Sequence, residues 1–175
     1  KAMQEAVPSG EGAMAAILGL DAAAVIAACA DSAQGQVVEA VNLNTPEQIV
    51  IAGHAAAVQR AADAAKSKGA KRAVMLPVSA PFHCSLMKPA AERLRQRLAD
   101  LSFLVPQMPV VNNSDVSCLT DPQQIKEALV RQAASPVRWV ETMQAMAGQG
   151  ITHVYECGPG KVLAGLVKRC ADGLA

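Results

Sequence analysis

Between Gly12 and Val78 the chain changes hydrophobic period five times, with turn residues at each change, and few folds accommodate that order in so short a stretch. Ala13 to Leu18 reads as a strand, Asp21 to Ala33 as a helix, and Val37 to Leu43 as a second strand. Gln48 to Ala52 gives a third strand, Ala55 to Lys68 an alanine-rich helix closed by Gly69, and Ala73 to Val78 a fourth strand. Asp21 is placed to cap its helix, and Asn44-Thr45-Pro46-Glu47 to turn between the middle strands.

This order predicts a split βαβ unit of the ferredoxin-like type, an antiparallel sheet with two helices on one face. After His83 the chain changes character. A helix over Ser85 to Asp100 leads to a strand over Met108 to Asn113, and Asp121-Pro122 opens a helix carrying Ile125 and Leu129. Ser135-Pro136 repeats that device before Val137, Val140, Met143 and Ala147, and a last strand over Thr152 to Glu156 precedes Gly158-Pro159-Gly160-Lys161 and a final helix. Such alternation suits a parallel α/β layer, but two or three strands make too small a parallel sheet to stand alone. The missing strands are expected before Lys1, where the first residues read as the tail of a helix.

The chain has 175 residues and is 51% hydrophobic, enough to bury a real core, yet only 2% aromatic. The core must therefore be packed from Ala, Val, Leu, Ile and Met, and base stacking is poorly supported. A formal charge of +1 gives no general reason to bind nucleic acid or an anionic membrane. The basic run Lys66, Lys68, Lys71 and Arg72 could meet an acidic protein or a phosphate, or simply be a solvated turn. Five cysteines without a CxxC pair argue against a disulfide framework and for a reducing cytoplasm, and no Cys–His spacing fits zinc. No apolar run reaches spanning length.

The residue that could carry chemistry is His83. The strand over 73–78 is closed by prolines, and Leu86, Ala90, Leu94 and Leu98 recur at helical spacing beyond it, so His83 sits in a connection held at both ends. Imidazole there can take and return a proton near neutral pH. It can equally cap a helix or satisfy buried backbone, and only context decides.

Six motifs occur in register: Gly12-Ala13-Met14-Ala15-Ala16, Val41-Asn42-Leu43-Asn44, the His83 turn, Pro109-Val110-Val111-Asn112-Asn113, Pro136-Val137-Arg138-Trp139 and Glu156-Cys157-Gly158-Pro159-Gly160-Lys161. Together they resemble the malonyl-CoA:acyl carrier protein transacylases of bacterial fatty acid synthesis, across essentially the whole chain. The resemblance implies an α/β-hydrolase-like acyltransferase domain interrupted by the ferredoxin-like small domain. Residues 1–10 would then end an upstream helix and linker, 11–79 form the small domain, and 80–175 the C-terminal part of the large domain.

The activity implied is a ping-pong transfer of malonyl from malonyl-CoA to the pantetheine thiol of acyl carrier protein, through an acyl-serine in a nucleophile elbow. No GxSxG occurs here, so that serine would lie upstream and the isolated chain would be inactive. His83 would be the base, oriented by the backbone carbonyl at Gln132. Phe82 would crowd an α-methyl branch beside the acyl pocket, or be only a helix staple. Asn42, Asn44 and Gln48 would face the coenzyme A cleft, or only close a turn. Beyond the coenzyme A thioester as substrate, the resemblance implies no metal or cofactor, no nucleic acid or membrane partner, a cytoplasmic location, and a monomer at full length. A non-catalytic ferredoxin-like binding module and an inactive remnant are the competing readings.

Overall fold

A computed structural model describes residues 1–78 and 80–174; Ser79, where the sequence reading ends the small domain, and Ala175 lie outside the described residues. A short helix, α1 (Ala2–Glu5), precedes four strands, β1 (Gly12–Leu18), β2 (Val38–Thr45), β3 (Gln48–His54) and β4 (Arg72–Met75). They form one sheet in the order β2-β3-β1-β4, with every neighbouring pair antiparallel. Helices α2 (Ala22–Ser32) and α3 (Ala55–Ser67) fall after β1 and β3, so the expected order of six elements is present. The fourth strand is shorter than expected: its register with β1 ends at Ala15↔Met75, with one further bond from Leu76 N to Met14 O at 2.9 Å before Pro77.

Period-2 alternation sorts the sheet's side chains between two faces. Ile17, Ile49 and Ile51 turn to the helices and are sealed there by Val25, Ala28, Val58, Ala61 and Ala65. The alanines along α3 let that helix lie close on the sheet, which is how a chain poor in aromatics fills this layer. Asp21 caps α2 by accepting from the Ala24 N–H at 2.8 Å. Arg60 closes its other end, donating to the carbonyls of Ser32 and Ala33. On the opposite face Met14, Val41, Val50 and Ala52 meet Cys84, with Phe82 and Leu86 at the margin, so the segment around His83 docks on the side without helices.

Beyond it come one 3₁₀ turn (Ser85–Met87), α4 (Lys88–Ala99), α5 (Pro122–Gln132), α6 (Trp139–Gly148) and α7 (Val162–Val167). Asp121 caps α5 through the Gln124 N–H at 2.8 Å, as the sequence implies. Three expectations are corrected. The strand over 108–113 shrinks to β5 (Val111–Asn112), paired only with β6 (Ser117–Cys118) across an Asn112 side-chain turn. Thr152 to Glu156 forms no ladder. A strand needs a neighbour's N–H and C=O groups, and the described residues offer the first segment only the two residues of β6 and the second none. Ser135-Pro136 does not open a helix: Val137 donates to Val41 O at 2.8 Å and accepts from Leu43 N at 2.9 Å, which holds it extended beside β2 until α6 starts at Trp139. No parallel layer forms among the described residues beyond that single bridge. No helix among them is long and apolar enough to cross a membrane.

Gly53 is where the sheet tolerates least. A Cβ there would come 2.0 Å from the Val37 carbonyl oxygen and 2.7 Å from Val38 Cα, both backbone atoms that cannot rotate away. Gly53→Ala is expected to cost about 1–3 kcal/mol or more through this overpacking, read as a lower denaturant midpoint. An unchanged midpoint would mean that β2 and β3 are not packed in this register.

Candidate functional site

His83 follows Pro81 and Phe82 in the connection from sheet to helix, with φ of +62°, a left-handed conformation uncommon for a residue with a Cβ. Such a residue persists only where its surroundings hold it, at a cost of about 1–3 kcal/mol. Three neighbours do so. Cys84 Sγ donates back to Pro81 O at 3.0 Å, and Met87 N donates to Cys84 O at 2.9 Å. Ser85 donates both its N–H (3.0 Å) and its hydroxyl (2.6 Å) to the Glu39 carboxylate on β2.

The imidazole itself places Nδ1 3.4 Å from the Gln132 carbonyl oxygen, at the last residue of α5. A carbonyl can only accept, so this contact calls for a proton on Nδ1 and leaves the Nε2 lone pair available. The Gln132 side chain is fixed in turn, donating to Asn113 Oδ1 at 2.8 Å, and Asn113 O accepts from Arg138 N. His83 opens into a recess of about 460 Å³ walled by Met3, Ala90, Leu94, Leu129 and Ala133, with Lys1 at its rim. The wall beside the ring is largely apolar, and the recess is open to solvent.

The other histidines are differently employed. His54 Nδ1 accepts from Val37 N at 3.0 Å, and His153 contacts its neighbour Thr152 on the surface.

The remaining sequence-predicted site residues do not join this recess. Phe82 packs between the sheet-face cluster and a second one with Val7, Ala80 and Met87, and is absent from the recess wall. Asn42 lies on β2 opposite Val50, at the bridge to Val137. Asn44 offers its carbonyl to the Cys170 thiol at 3.2 Å, and Gln48 Oε1 accepts from Arg169 at 3.2 Å. Asn42 and Asn44 lie on β2 with Glu39 and Gln48 starts β3; Asn44 and Gln48 meet the residues that follow α7, whereas Asn42 lies at the Val137 bridge.

The basic run is largely neutralised: Lys66 pairs with Asp63, Lys68 with Asp31 and Lys71 with Glu47. The turn at Gly158 is exposed, and Glu156 already accepts the Ala164 N–H at the start of α7. Among the described residues no three His, Cys, Asp or Glu side chains converge as a metal site.

Sequence reasoning missed Glu39, Ser85 and Asn113 as supports of the histidine. Only the Asn113 motif carried a signal; the Glu39–Ser85 contact spans 46 positions and has none.

No protein-family model matches the chain. It is 58% identical over 174 residues to the malonyl CoA-acyl carrier protein transacylase of Escherichia coli (strain K12), covering 99% of this chain and 56% of that protein. A crystal structure of an acyl carrier protein S-malonyltransferase from Vibrio cholerae superposes with a TM-score of 0.97 at 57% identity, covering 99% of this chain and 56% of that one. A type II PKS acyl-carrier protein in complex with its malonyl-transacylase gives a TM-score of 0.97 at 53% identity, with 99% and 56% covered. The chain thus spans about half the length of the curated relatives it matches.

Cys84 stands next to His83 but is no candidate nucleophile. Burial pushes its thiol up to about 11, and Cys29 likewise up to about 12. At pH 8 roughly one Cys84 in a thousand is thiolate. Brief alkylation of the folded protein at pH 8 is expected to label Cys118 and Cys157, which are exposed, and to spare Cys29 and Cys84. Rapid labelling of Cys84, read by peptide mass, would show that the turn opens.

Proposed function

We propose, on the premise that this chain is homologous over 99% of its length to malonyl CoA-acyl carrier protein transacylases, that it supplies the base half of a malonyl-transfer site. The observation that carries the reading is the His83 imidazole, held through Nδ1 by the Gln132 carbonyl in a residue that lines a mostly apolar recess. That arrangement does what the third member of a catalytic triad does, fixing the tautomer, though a carbonyl stabilises the imidazolium less than a carboxylate would.

The nucleophile is a serine in the part of the relatives that this chain does not span. His83 Nε2 takes the hydroxyl proton as the serine oxygen attacks the thioester carbon of malonyl-CoA. The carbon–sulfur bond breaks, and the proton passes to the departing coenzyme A thiolate. In the second half the pantetheine thiol of an acyl carrier protein gives its proton to Nε2 and attacks the acyl-serine. The serine leaves and recovers the proton, so the cycle consumes no cofactor. Asn42, Asn44 and Gln48 are assigned to the coenzyme A side, where neutral amide donors suit a diphosphate and pantetheine chain. Phe82, as the ring immediately before His83, is assigned to the support of its turn. The cytoplasm, where coenzyme A thioesters are made and used, is the compartment this chemistry needs.

At the level of fold we read residues 11–79 as a ferredoxin-like small domain, from the strand order and the two helices on one face. Residues 80–175 are read as part of an α/β-hydrolase-like domain. Support comes from their exposed apolar side chains, with Leu104 86% and Tyr155 82% accessible, beside segments of strand composition that lack a ladder. Such a surface calls for a partner layer. The remaining length of the relatives is the occupant we assign to it.

In the full-length protein, His83→Ala is expected to lower malonyl transfer by at least about 100-fold, and incubation with malonyl-CoA to leave a malonyl adduct on a serine outside these residues. The 175-residue chain alone should form no adduct by intact mass. Robust turnover by the chain alone, or an unimpaired His83→Ala enzyme, would overturn the mechanism.

A further inference from the structure

We infer that Glu39 is a positioning residue for His83, acting through Ser85 to hold the turn that aims the imidazole at Gln132. The inference rests on the malonyl-transfer reading for its kinetic consequence and on geometry alone for its structural one.

Glu39 and Asn42 lie on the face of β2 that carries no helices, since their register partners Ala52 and Val50 belong to the cluster containing Cys84. From there the Glu39 carboxylate reaches the start of the 3₁₀ turn and takes two hydrogen bonds from Ser85, one from the backbone N–H at 3.0 Å and one from the hydroxyl at 2.6 Å. Both carboxylate oxygens are engaged, so the pair fixes orientation as well as distance.

A negative charge at a helical N-terminus accepts N–H groups that have no partner within the turn. His83 sits two residues before Ser85 in a left-handed conformation that its own side chain disfavours. Without this anchor the turn keeps the Cys84–Pro81 and Met87–Cys84 bonds but loses its tie to β2, so the backbone at His83 samples φ below zero more often and the ring moves away from the Gln132 carbonyl in that fraction. The 3.4 Å separation of Nδ1 from that carbonyl leaves little room for such a shift before the contact is lost.

The pair has a second consequence. β2 also carries Asn42 and Asn44, which the functional reading places against coenzyme A. Glu39 therefore ties the strand on the substrate side to the turn that carries the base.

The test uses the full-length protein and four variants, Glu39→Ala, Glu39→Gln, Ser85→Ala and His83→Ala. Glu39→Ala is expected to lower kcat about 10-fold with KM for malonyl-CoA within about 2-fold, because misplacement of a base affects the chemical step more than binding. Glu39→Gln, which keeps an acceptor oxygen, should recover most of kcat, and Ser85→Ala, which keeps the N–H bond, should lose only about 3-fold. Nitrogen-15 spectra of His83 read the structure directly: a single Nδ1–H tautomer in the parent and in Glu39→Gln, and mixed tautomers in Glu39→Ala.

A Glu39→Ala enzyme with unchanged kcat and an unchanged tautomer, while His83→Ala is inactive, overturns the proposal and leaves the functional reading standing. An active His83→Ala enzyme overturns the functional reading, and the tautomer spectra then decide the role of Glu39 alone. If Glu39→Ala does not fold, the Ser85→Ala enzyme decides: an unmoved tautomer and kcat count against positioning.

Discussion

The arrangement around His83 depends on β2 being an edge strand whose free edge is used. One side of β2 pairs with β3 along the hairpin, and the other takes Val137 through two backbone hydrogen bonds of 2.8 and 2.9 Å. An uncovered edge would be a site of unspecific pairing; here it binds the segment that leaves α5. Gln132 ends that helix, five residues before Val137. The carbonyl that orients His83 and the carboxylate that anchors the His83 turn are thus both referred to one strand. A shift of β2 by one residue would reverse the face on which Glu39 sits and detach both supports.

This dependence also explains why a left-handed histidine is sustainable. A conformation that costs about 1–3 kcal/mol needs surroundings that overdetermine it. The Cys84 thiol on Pro81 O, the paired bonds from Ser85 to Glu39 and the packing of Phe82 into two apolar clusters supply three independent constraints. Strain at this point serves to direct the ring into the recess, where an extended backbone would carry it along the sheet.

Local features of the chain were legible, and contacts that close over distance were not. Strands β1 and β3, the caps at Asp21 and Asp121, and the arrival of His83 between sheet and helix all follow from periodicity and neighbouring residues, because those signals lie within a few positions of the structure they specify. Ser135-Pro136 shows the limit of that reading. The dipeptide has the chemistry of a helix start, but the β2 edge offers Val137 two backbone hydrogen bonds, and tertiary pairing overrides the local preference. The Glu39–Ser85 pair is the same kind of omission. Neither residue is unusual in its own neighbourhood, and only the docking of one element on another makes them partners.

The segments that failed as strands differ from the small sheet in how their apolar side chains and backbone groups are covered. Met108, Val110 and Tyr155 lie in stretches with strand composition, yet all three are well exposed and their segments find at most a two-residue ladder. An apolar strand without a neighbour leaves both its side chains and its backbone groups facing water, a combination that folding normally removes. The central strands of the small sheet show less of this deficit, with α2 and α3 on one face and the His83 segment on the other, while Val74 and Met75 on the edge strand β4 stay exposed. The His83 ring is positioned by contacts from within this chain, through the Gln132 carbonyl and the Glu39–Ser85 pair.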